Sequence, residues 1–460
     1  MTTTALDASR VPPGPRGHPA LGILRPLRQD PLGFLMQTFT TYGDTVRYRI
    51  GPIRSTLIAH PDGVKHVLQE RVKNYTKDHL SYTMVRWVAG DGLLTSMGDT
   101  WLRQRRLAQP AFHRQRIAAM GEMMVRRSQE TLAEWEALAG HEVDVGDAMM
   151  RLALRIVGDA LFGTSVDAQA EAISHNFHLI SDQVVTRFRS FNLIPPVLPR
   201  ARDRAWRQAR AALDRVIYGM IAERRARDED RGDLFSMLML ARDEDTGERM
   251  SDRQLRDELL TMLVAGHETT ATALTWAWGL LDQHPEAAAK LHAELDSVLG
   301  DRPPTVADLP RLAYTRMVID ETLRLYPPIY IFSRAVQHAD SIGPYHIPRG
   351  SSVDISAYVT HRHPAFWPDP ERFDPERFTP ERVAARHKFA YIPFSSGPRM
   401  CIGNTFALME ATLALATLAR RLTLRRPGGT LPAPEPLLTL RPLGGLRMRV
   451  ERRERGAWNG

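Results

Sequence analysis

The residue with the most distinctive chemistry in this chain is Cys401, which lies in the stretch FSSGPRMCIG at 394–403. It is the only cysteine among 460 residues. The chain therefore cannot form an internal disulfide, a multi-cysteine zinc site or an iron–sulfur cluster held by several cysteines. Three roles remain open for Cys401: a buried inert thiol, a catalytic nucleophile, or a single thiolate ligand to a metal cofactor.

The residues around Cys401 favour an ionised sulfur. Gly397, Pro398 and Gly403 predict a tight loop that ends where a helix begins, and the free N–H groups of a helix start stabilise a thiolate. Arg399 adds a positive charge two residues before the cysteine. No histidine of this loop is an obvious base for a nucleophile, although distant histidines could serve. A cysteine sulfur must be ionised to bind a metal, so the surroundings of Cys401 suit a metal ligand.

A second group of reactive side chains lies in AGHETT at 265–270, inside a long apolar stretch that predicts a helix. Gly266 costs about 1 kcal/mol relative to alanine in a helix interior. Its neighbours Glu268 and Thr269 are polar residues in an apolar setting. A threonine that bonds back to its own helix bends it slightly. Such a weakened helix would leave a groove in which oxygen and water can sit beside a metal centre.

Two pairs of residues have the spacing of one helix face. Glu321 and Arg324 in ETLR are three apart, which by itself indicates a surface salt bridge of little worth. Trp101 and Arg105 in GDTWLRQRR are four apart. In a chain with 61 basic residues, a solvated role is the more common one for any single arginine.

The histidines do not predict a metal site. His361 and His363 lie close to His346 in sequence, but HRHPAFW belongs to a proline-dense stretch, where we expect structural hydrogen bonding. We assign His267 no role. The chemistry of the chain therefore centres on the cysteine loop and the AGHETT helix.

These motifs carry a resemblance to a known family. FSSGPRMCIG resembles, position by position, the haem-binding loop of the cytochrome P450 superfamily, whose fixed positions are matched by Phe394, Gly397, Arg399, Cys401 and Gly403. ETLR, the stretch FWPDPERFDPERF and AGHETT also occur in the family's order and spacing. The resemblance covers nearly the whole chain, from PPGPRGHP through the helix that follows the cysteine.

The resemblance implies a fold class and a domain plan. The fold is mainly α with small β-sheets: a single triangular-prism-like cytochrome P450 domain over residues 11–450. Haem lies between the distal helix containing AGHETT and the cysteine loop. Residues 1–10 and 451–460 are then flexible termini.

The resemblance also implies the roles of the motif residues around a haem. Cys401 is the axial ligand of the haem iron, and Glu268 and Thr269 are the acid–alcohol pair that supplies protons while dioxygen is cleaved. The thiolate donates electron density that favours this cleavage. The other implied cofactor-binding residues are Arg399, Trp101, Arg105, Arg334, Phe394, Gly403, Ala265 and Gly266, with the arginines and the tryptophan placed at the haem propionates.

Three charged residues are implied to be structural. Glu321 and Arg324 form a buried pair in the family, which is completed by an arginine from a later loop. The family spacing selects Arg377, with Arg372 as its competitor. Together they lock the folded core behind the cysteine loop without touching substrate.

The implied activity is that of a haem-thiolate monooxygenase, which inserts one oxygen atom from O2 into a lipophilic small molecule of terpenoid, carotenoid, fatty acid or steroid type. The family positions that line the substrate pocket are apolar here: Tyr82, Met84, Val85, Trp87, Val185, Phe188, Val264, Ala265, Ile329 and Ile331. Ordinary core packing is the alternative for each. A peroxide-driven or isomerase-type haem-thiolate enzyme and a haem sensor are rival functions, but neither requires Glu268 and Thr269.

The cofactors and partners follow from the same resemblance. The enzyme needs haem b and O2, and NAD(P)H supplies electrons indirectly, through a ferredoxin or flavodoxin and its reductase. The net charge of +8 comes from 61 bases interleaved with 53 acids, which argues against a nucleic-acid partner. A basic face around Arg103, Arg106 and His113 could meet an acidic redox protein.

Location and assembly are also predicted. The N-terminal sequence lacks a signal-like apolar run and no stretch is long enough to span a bilayer, so we expect a cytoplasmic monomer without a transmembrane anchor. The segment FNLIPPVLP at 191–199, flanked by basic residues, predicts weak contact with a membrane surface.

The elements that must position these residues are mostly helical. From Trp101 to about Ala385, apolar residues recur every three or four positions. TVRYRIGPIRSTLIAHP alternates like a short hairpin, and strand-like pieces return in SRAVQHADSIGPYHIPRGSSVDISAYV. The proline-dense stretch after His361 cannot be a regular helix interior.

Overall fold

A computed structural model describes residues 10–163, 176, 180, 201–227 and 230–453 of the chain. The predicted pocket residues Val185 and Phe188, the segment at 191–199 and most of both predicted flexible termini lie outside the described residues. The mainly α fold with small sheets is confirmed. The single domain over residues 11–450 stays a prediction.

The α-helices are numbered in chain order among the described residues. They are α1 Leu24–Gln29, α2 Pro31–Tyr42, α3 Pro61–Lys65, α4 Leu80–Ala89, α5 Gly98–Ala108, α6 Arg114–Ala119, α7 Gly121–Ala137, α8 Val145–Phe162, α9 Arg204–Arg227, α10 Leu234–Leu240, α11 Asp252–Gln283, α12 Pro285–Leu299, α13 Ala313–Leu325, α14 Ala357–Thr360, α15 Pro380–Ala385 and α16 Asn404–Ala419. Short 3-10 turns lie at Gln109–Phe112, Ala201–Asp203, Val306–Arg311, Pro375–Phe378, Lys388–Ala390 and Gly397–Arg399, and a π-turn at His66–Glu70.

The strands are short and form small sheets. They are β1 Thr45–Ile50, β2 Ile53–Ile58, β3 Tyr75–Thr76, β4 Glu142–Asp144, β5 Phe332–Val336, β6 Asp340–Ile342, β7 Tyr345–Ile347, β8 Ser352–Ile355, β9 Leu422–Arg425, β10 Pro434–Pro436, β11 Leu440–Pro442 and β12 Arg447–Arg452. The predicted hairpin is confirmed, since β1 and β2 pair antiparallel with Thr45 opposite Ile58. Strand β2 pairs parallel with β8, and the remaining ladders are antiparallel.

The described residues form two compact units. The first comprises residues up to Thr83, Leu323–Arg372 and Thr379–Cys401. Its centre is a five-stranded sheet in the order β1-β2-β8-β5-β3. Because successive side chains of a strand point to opposite faces, Leu57 and Ile58 of β2 pack into two different apolar clusters. Both faces of this sheet are therefore covered.

The second unit comprises the described residues of Met84–Thr322, Phe373–Phe378 and residues from Ile402 onward. Its longest helix, α11, has 32 residues and extends about 48 Å. The side chain of Ser251 caps its start in a capping box with Gln254. Helix α8 packs along α11, and α16 packs against α7. The α16 residues from Met409 to Ala419 are buried on all sides, which is typical of a core helix.

The proline positions agree with the sequence predictions. Pro285 is the first residue of α12, where its missing N–H leaves no hydrogen bond unmade. Pro375 and Pro380 begin the short turns of the proline-dense stretch. In the part of the chain that the structure describes, no helix combines the length and the apolar character needed to cross a membrane.

Candidate active site

The Cys401 loop in the first unit is shaped by its backbone. Ser395 and Gly397 have positive φ angles of 60° and 69°. A Cβ at Gly397 would overlap the carbonyl oxygen of Leu68, so only glycine fits there. The N–H of Cys401 donates to the carbonyl oxygen of Phe394 at 3.0 Å. Cys401 itself is exposed, so its side chain is accessible to a ligand.

Helix α11 in the second unit exposes a small part of its middle. Ala265 is exposed, and Val264, Gly266 and Thr269 are partly exposed, although the turns before and after them are buried. The Oγ1 of Thr269 donates to the carbonyl oxygen of Ala265 at 2.7 Å, the back-bonding expected from the sequence. The predicted groove residues of AGHETT are thus accessible in an otherwise buried helix.

Glu268, the predicted acid of the acid–alcohol pair, is buried, with only 2% of its surface exposed. Its Oε1 accepts a hydrogen bond from Thr439 Oγ1 at 2.6 Å and from Arg441 Nε at 3.0 Å. Arg441 Nη2 lies 2.8 Å from the same oxygen. Neither partner is indicated by the sequence, because neither belongs to a motif with a recognisable spacing from Glu268.

Arg334 is a buried cation in the first unit. Only 4% of its surface is exposed. Its Nη1 donates to the hydroxyl of Tyr82 at 2.6 Å and to the carbonyl oxygen of Ser333 at 2.9 Å. No carboxylate of the described residues forms an ion pair with it. A buried guanidinium with only neutral partners is costly, so this position favours an anionic ligand group.

Each of the predicted structural charges has partners within its own unit. In the second unit, Glu321 is fully buried; its Oε1 lies 3.4 Å from Arg377 Nε and accepts the N–H of Asp374 at 2.8 Å. In the first unit, Arg324 donates to the carbonyl oxygens of His361 and Arg372 at 3.0 and 3.1 Å. Arg377 rather than Arg372 is therefore the arginine beside Glu321.

The histidines act in hydrogen bonding. His361 Nε2 accepts the N–H of Ile392 at 2.8 Å, and burial lowers the pKa of His361 to about 3, so its ring is neutral. His363 Nε2 lies 3.0 Å from Asp44 Oδ1, whereas His346 is exposed. Among the described residues, no cluster of histidine, cysteine or acidic side chains could hold a metal ion.

The remaining predicted cofactor residues and the basic face lie partly on helix α5. Trp101 and Arg105 are half-buried there, and Arg399 is half-buried in the turn before Cys401. Arg103 pairs with Glu248 at 2.9 Å, and Arg106 with Asp243 at 3.1 Å. These two arginines already have acidic partners, which reduces their charge available for docking.

The predicted pocket residues are distributed as follows. On α4, Met84 is buried and Val85 and Trp87 are half-buried. Ile329 is 37% exposed, and Ile331 packs against an apolar cluster of the first unit. Tyr82 departs from a purely apolar role, because its hydroxyl accepts the hydrogen bond from Arg334.

These residues fit a haem group by their own chemistry. Cys401 offers an accessible sulfur, and Arg334 offers a propionate a buried positive charge that has no counter-charge among the described residues. Ala265 and Gly266 present a small, accessible helix surface against which a flat ring can pack.

Comparisons with known proteins agree with this chemistry. The family model described as Cytochrome P450 matches residues 12–446. Cyclooctatin synthase of Streptomyces melanosporofaciens is 41% identical over 441 residues, covering 95% of each chain. Cyclooctat-9-en-7-ol 5-monooxygenase of the same organism is 38% identical over 418 residues, covering 90% of each chain.

A solved structure is also similar. The crystal structure of the cytochrome P450DA heme domain superposes with a TM-score of 0.86 and 30% sequence identity. The superposition covers 96% of this chain and 98% of the other.

Proposed function

The chain belongs to the cytochrome P450 family, and from this premise we propose that it is a terpenoid monooxygenase whose haem ligand is Cys401. It is a haem-thiolate monooxygenase that inserts one oxygen atom into a lipophilic small molecule, with electrons that derive from NAD(P)H and arrive through redox partners. Bound haem b supplies the activation of O2.

The observation that carries the assignment of the ligand is the number of cysteines. A haem-thiolate enzyme needs one thiolate, and Cys401 is the only cysteine of the chain. Its exposed side chain follows a loop whose shape requires glycine at 397. Phe394 and Gly403 complete the loop on either side of the ligand.

Proton supply falls to residues of helix α11. The hydroxyl of Thr269 donates a hydrogen bond to Ala265 O, so the lone pairs of its oxygen can accept a hydrogen bond from water. Glu268 Oε1 is occupied by Thr439 and Arg441, which leaves Oε2 to take up and release a proton. Together they deliver protons to the reacting oxygen through water.

Cations on several elements would hold the propionates of a bound haem. Arg334 contributes the buried charge described above, and Tyr82 orients its guanidinium. Trp101, Arg105 and Arg399 supply the other contacts. Glu321, Arg324 and Arg377 would have a structural role without touching substrate, since Glu321 and Arg324 hydrogen-bond to the backbone that precedes the cysteine loop.

The substrate class is supported by apolar side chains and by the relatives. Met84, Val85, Trp87, Val264 and Ile329 would line an apolar site with few groups able to bind a charged substrate. One relative is named for oxygenating cyclooctat-9-en-7-ol, a cyclic alkenol. A largely hydrocarbon terpenoid skeleton fits both observations.

The redox partner is a ferredoxin or a flavodoxin with its reductase. The net charge of +8 favours an acidic partner, and the exposed His113 is the residue of the predicted docking face that forms no ion pair with an acidic residue of the described chain. We further propose a cytoplasmic monomer, since a protein with one cysteine gains nothing from an oxidising compartment.

A spectral experiment tests the proposal. The reduced, carbon-monoxide-treated protein should show the red-shifted Soret band of a thiolate-ligated haem. Cyclic terpenoids should then shift the ferric spectrum at lower concentrations than fatty acids, carotenoids or steroids do. Absence of the carbon-monoxide band would overturn the haem-thiolate assignment, and tighter binding of a fatty acid would overturn the substrate class.

A further inference from the structure

We propose that Arg441 and Thr439 are positioning residues for the reaction, which hold Glu268 by one oxygen and leave the other free to carry a proton. This inference rests on the role proposed above for Glu268. It concerns residues far from any motif of the chain: Arg441 is 173 positions from its partner in sequence.

The geometry of strand β11 brings both side chains to one carboxylate. Thr439 immediately precedes the strand and Arg441 lies within it, two positions later, so the period of two places their side chains on the same face. Three donors meet Glu268 Oε1: Thr439 Oγ1 at 2.6 Å, and Arg441 Nη2 and Nε at 2.8 and 3.0 Å. Oε2 accepts no hydrogen bond from a described residue. The two carboxylate oxygens therefore have different tasks.

The hairpin formed by β10 and β11 is itself fixed to helix α11. The indole N–H of the buried Trp276 donates to the carbonyl oxygen of Leu440 at 2.7 Å. Leu440 lies between Thr439 and Arg441, so this bond fixes the position of both side chains along the axis of α11. Pairing of Pro436 with Leu440 and of Glu435 with Arg441 holds the register of the hairpin. The donors are therefore preorganised.

The charges explain why this arrangement needs an arginine. A buried carboxylate without a cation is costly and would take up a proton permanently. The Arg441 side chain is 30% exposed, so the residue that pairs with Glu268 is itself in contact with solvent. With the ion pair intact, a proton from solvent binds Oε2 and is passed on to water of the active site. The carboxylate then regains its charge, and no other reactant is needed.

The test compares variants in two backgrounds. Arg441→Gln should lower the product formed per NAD(P)H consumed by about tenfold, because a charge-assisted bond to the acid is lost. Thr439→Val should have a smaller effect, and Arg441→Lys should restore most of the coupling. In a Glu268→Gln background, Arg441→Gln should cause no further loss of product per NAD(P)H, because Arg441 acts through the carboxylate that this background lacks.

An infrared measurement gives a readout that is independent of turnover. Arg441→Gln should show the carbonyl stretch of a protonated carboxylic acid at a pH where the wild-type protein lacks it, and the Arg441→Gln/Glu268→Gln double variant should lack it too. Arg449→Gln is the control, since Arg449 is an exposed residue of β12, the next strand along the chain. It should leave both the coupling and the infrared spectrum unchanged.

The outcomes separate this inference from the proposed function. Wild-type protein without the carbon-monoxide band would refute the proposed function. The positioning role would instead be refuted if the wild-type enzyme is active and Arg441→Gln has normal coupling. It would also be refuted if Arg441→Gln loses the same activity in the wild-type and the Glu268→Gln backgrounds. If Arg441→Gln fails to fold, Thr439→Val and Arg441→Lys in the same two backgrounds decide the question.

Discussion

The Cys401 loop and the middle of helix α11 prepare their reactive groups in different ways. The loop uses its backbone: Ser395 and Gly397 adopt positive φ angles, and a main-chain hydrogen bond holds Cys401. Helix α11 keeps a helical backbone through Gly266 and uses side-chain bonds of Thr269 and Glu268 instead. Loop geometry is local in sequence, whereas the partners of a helix side chain can come from anywhere in the chain.

The largest expected effect comes from removing the reactive group of the loop. Cys401→Ser should abolish the thiolate spectrum and all oxygenation of substrate, because no other cysteine can replace the ligand. The carbon-monoxide difference spectrum measures this directly. Met400→Leu, a change at the exposed neighbour, should leave the spectrum intact. A normal spectrum in Cys401→Ser would show that the Cys401 loop does not provide the haem ligand.

The corresponding change in helix α11 should spare the spectrum and damage only proton supply. Thr269→Ala removes the hydroxyl that bonds to Ala265 O. Product per NAD(P)H should fall roughly tenfold or more, with electrons diverted to hydrogen peroxide or water. Parallel assays of NAD(P)H consumption, product and peroxide would show this. Unchanged coupling would count against the role of Thr269; Thr269→Ser should retain part of the coupling.

Two glycines sharpen the contrast between loop and helix. Gly397→Ala should destabilise the protein by about 1–3 kcal/mol, because the position combines positive φ with a steric overlap at Leu68. Gly266→Ala should change the free energy of unfolding by less than about 1 kcal/mol, since alanine favours the helix. Its Cβ would approach Val157 Cγ2 at 3.0 Å, a contact that offsets part of the gain. Urea unfolding of both variants measures the difference. Equal losses would show that α11 is as tightly constrained as the loop.

A pH-dependent effect distinguishes two buried glutamates of helix α11. Glu258 accepts the N–H of Leu93 at 3.0 Å, but it forms no ion pair with a cation of the described residues, and burial raises its pKa to about 8. The folded state then binds a proton that the unfolded state has released, so the free energy of unfolding should fall as pH rises towards 8. The slope from this group is at most about 1.4 kcal/mol per pH unit.

Unfolding experiments across this pH range test the effect of Glu258. Glu258→Gln should flatten the decline in stability, whereas Glu122→Gln, at an exposed residue of α7, should not. If the slope of the free energy of unfolding against pH is unchanged in Glu258→Gln, the carboxyl group of Glu258 does not carry the extra proton in the folded state. The contrast between the two acids of α11 would then disappear.

Much of the site could be predicted because its motifs are local. The spacing of Gly397 and Cys401 encodes the loop directly, since the backbone conformation of a turn depends on its own residues. The back-bonding of Thr269 follows from the four-residue repeat of the helix. The position of Arg377 beside Glu321 was also predicted, from the spacing of a motif.

Other features could not be predicted from pattern. Arg103 and Arg106 were expected to form a docking face, yet acidic residues between 243 and 248 pair with them. Tyr82 was expected in an apolar pocket, yet its hydroxyl binds Arg334. In each case the partner lies far away in sequence, and a chain this rich in arginine offers many equally charged candidates.

The amino-acid order alone determined the helical architecture, the sulfur ligand that we propose and the helix to which we assign the handling of oxygen, because these depend on periodicity, on one cysteine and on short motifs. Only the tertiary structure decided which charges are neutralised and which remain available. The ion pair of Glu268 with Arg441, and the burial of Arg334 with no acidic partner among the described residues, are set by packing of distant segments. Electrostatic energies depend on distance and burial, and neither quantity can be read from spacing along the chain.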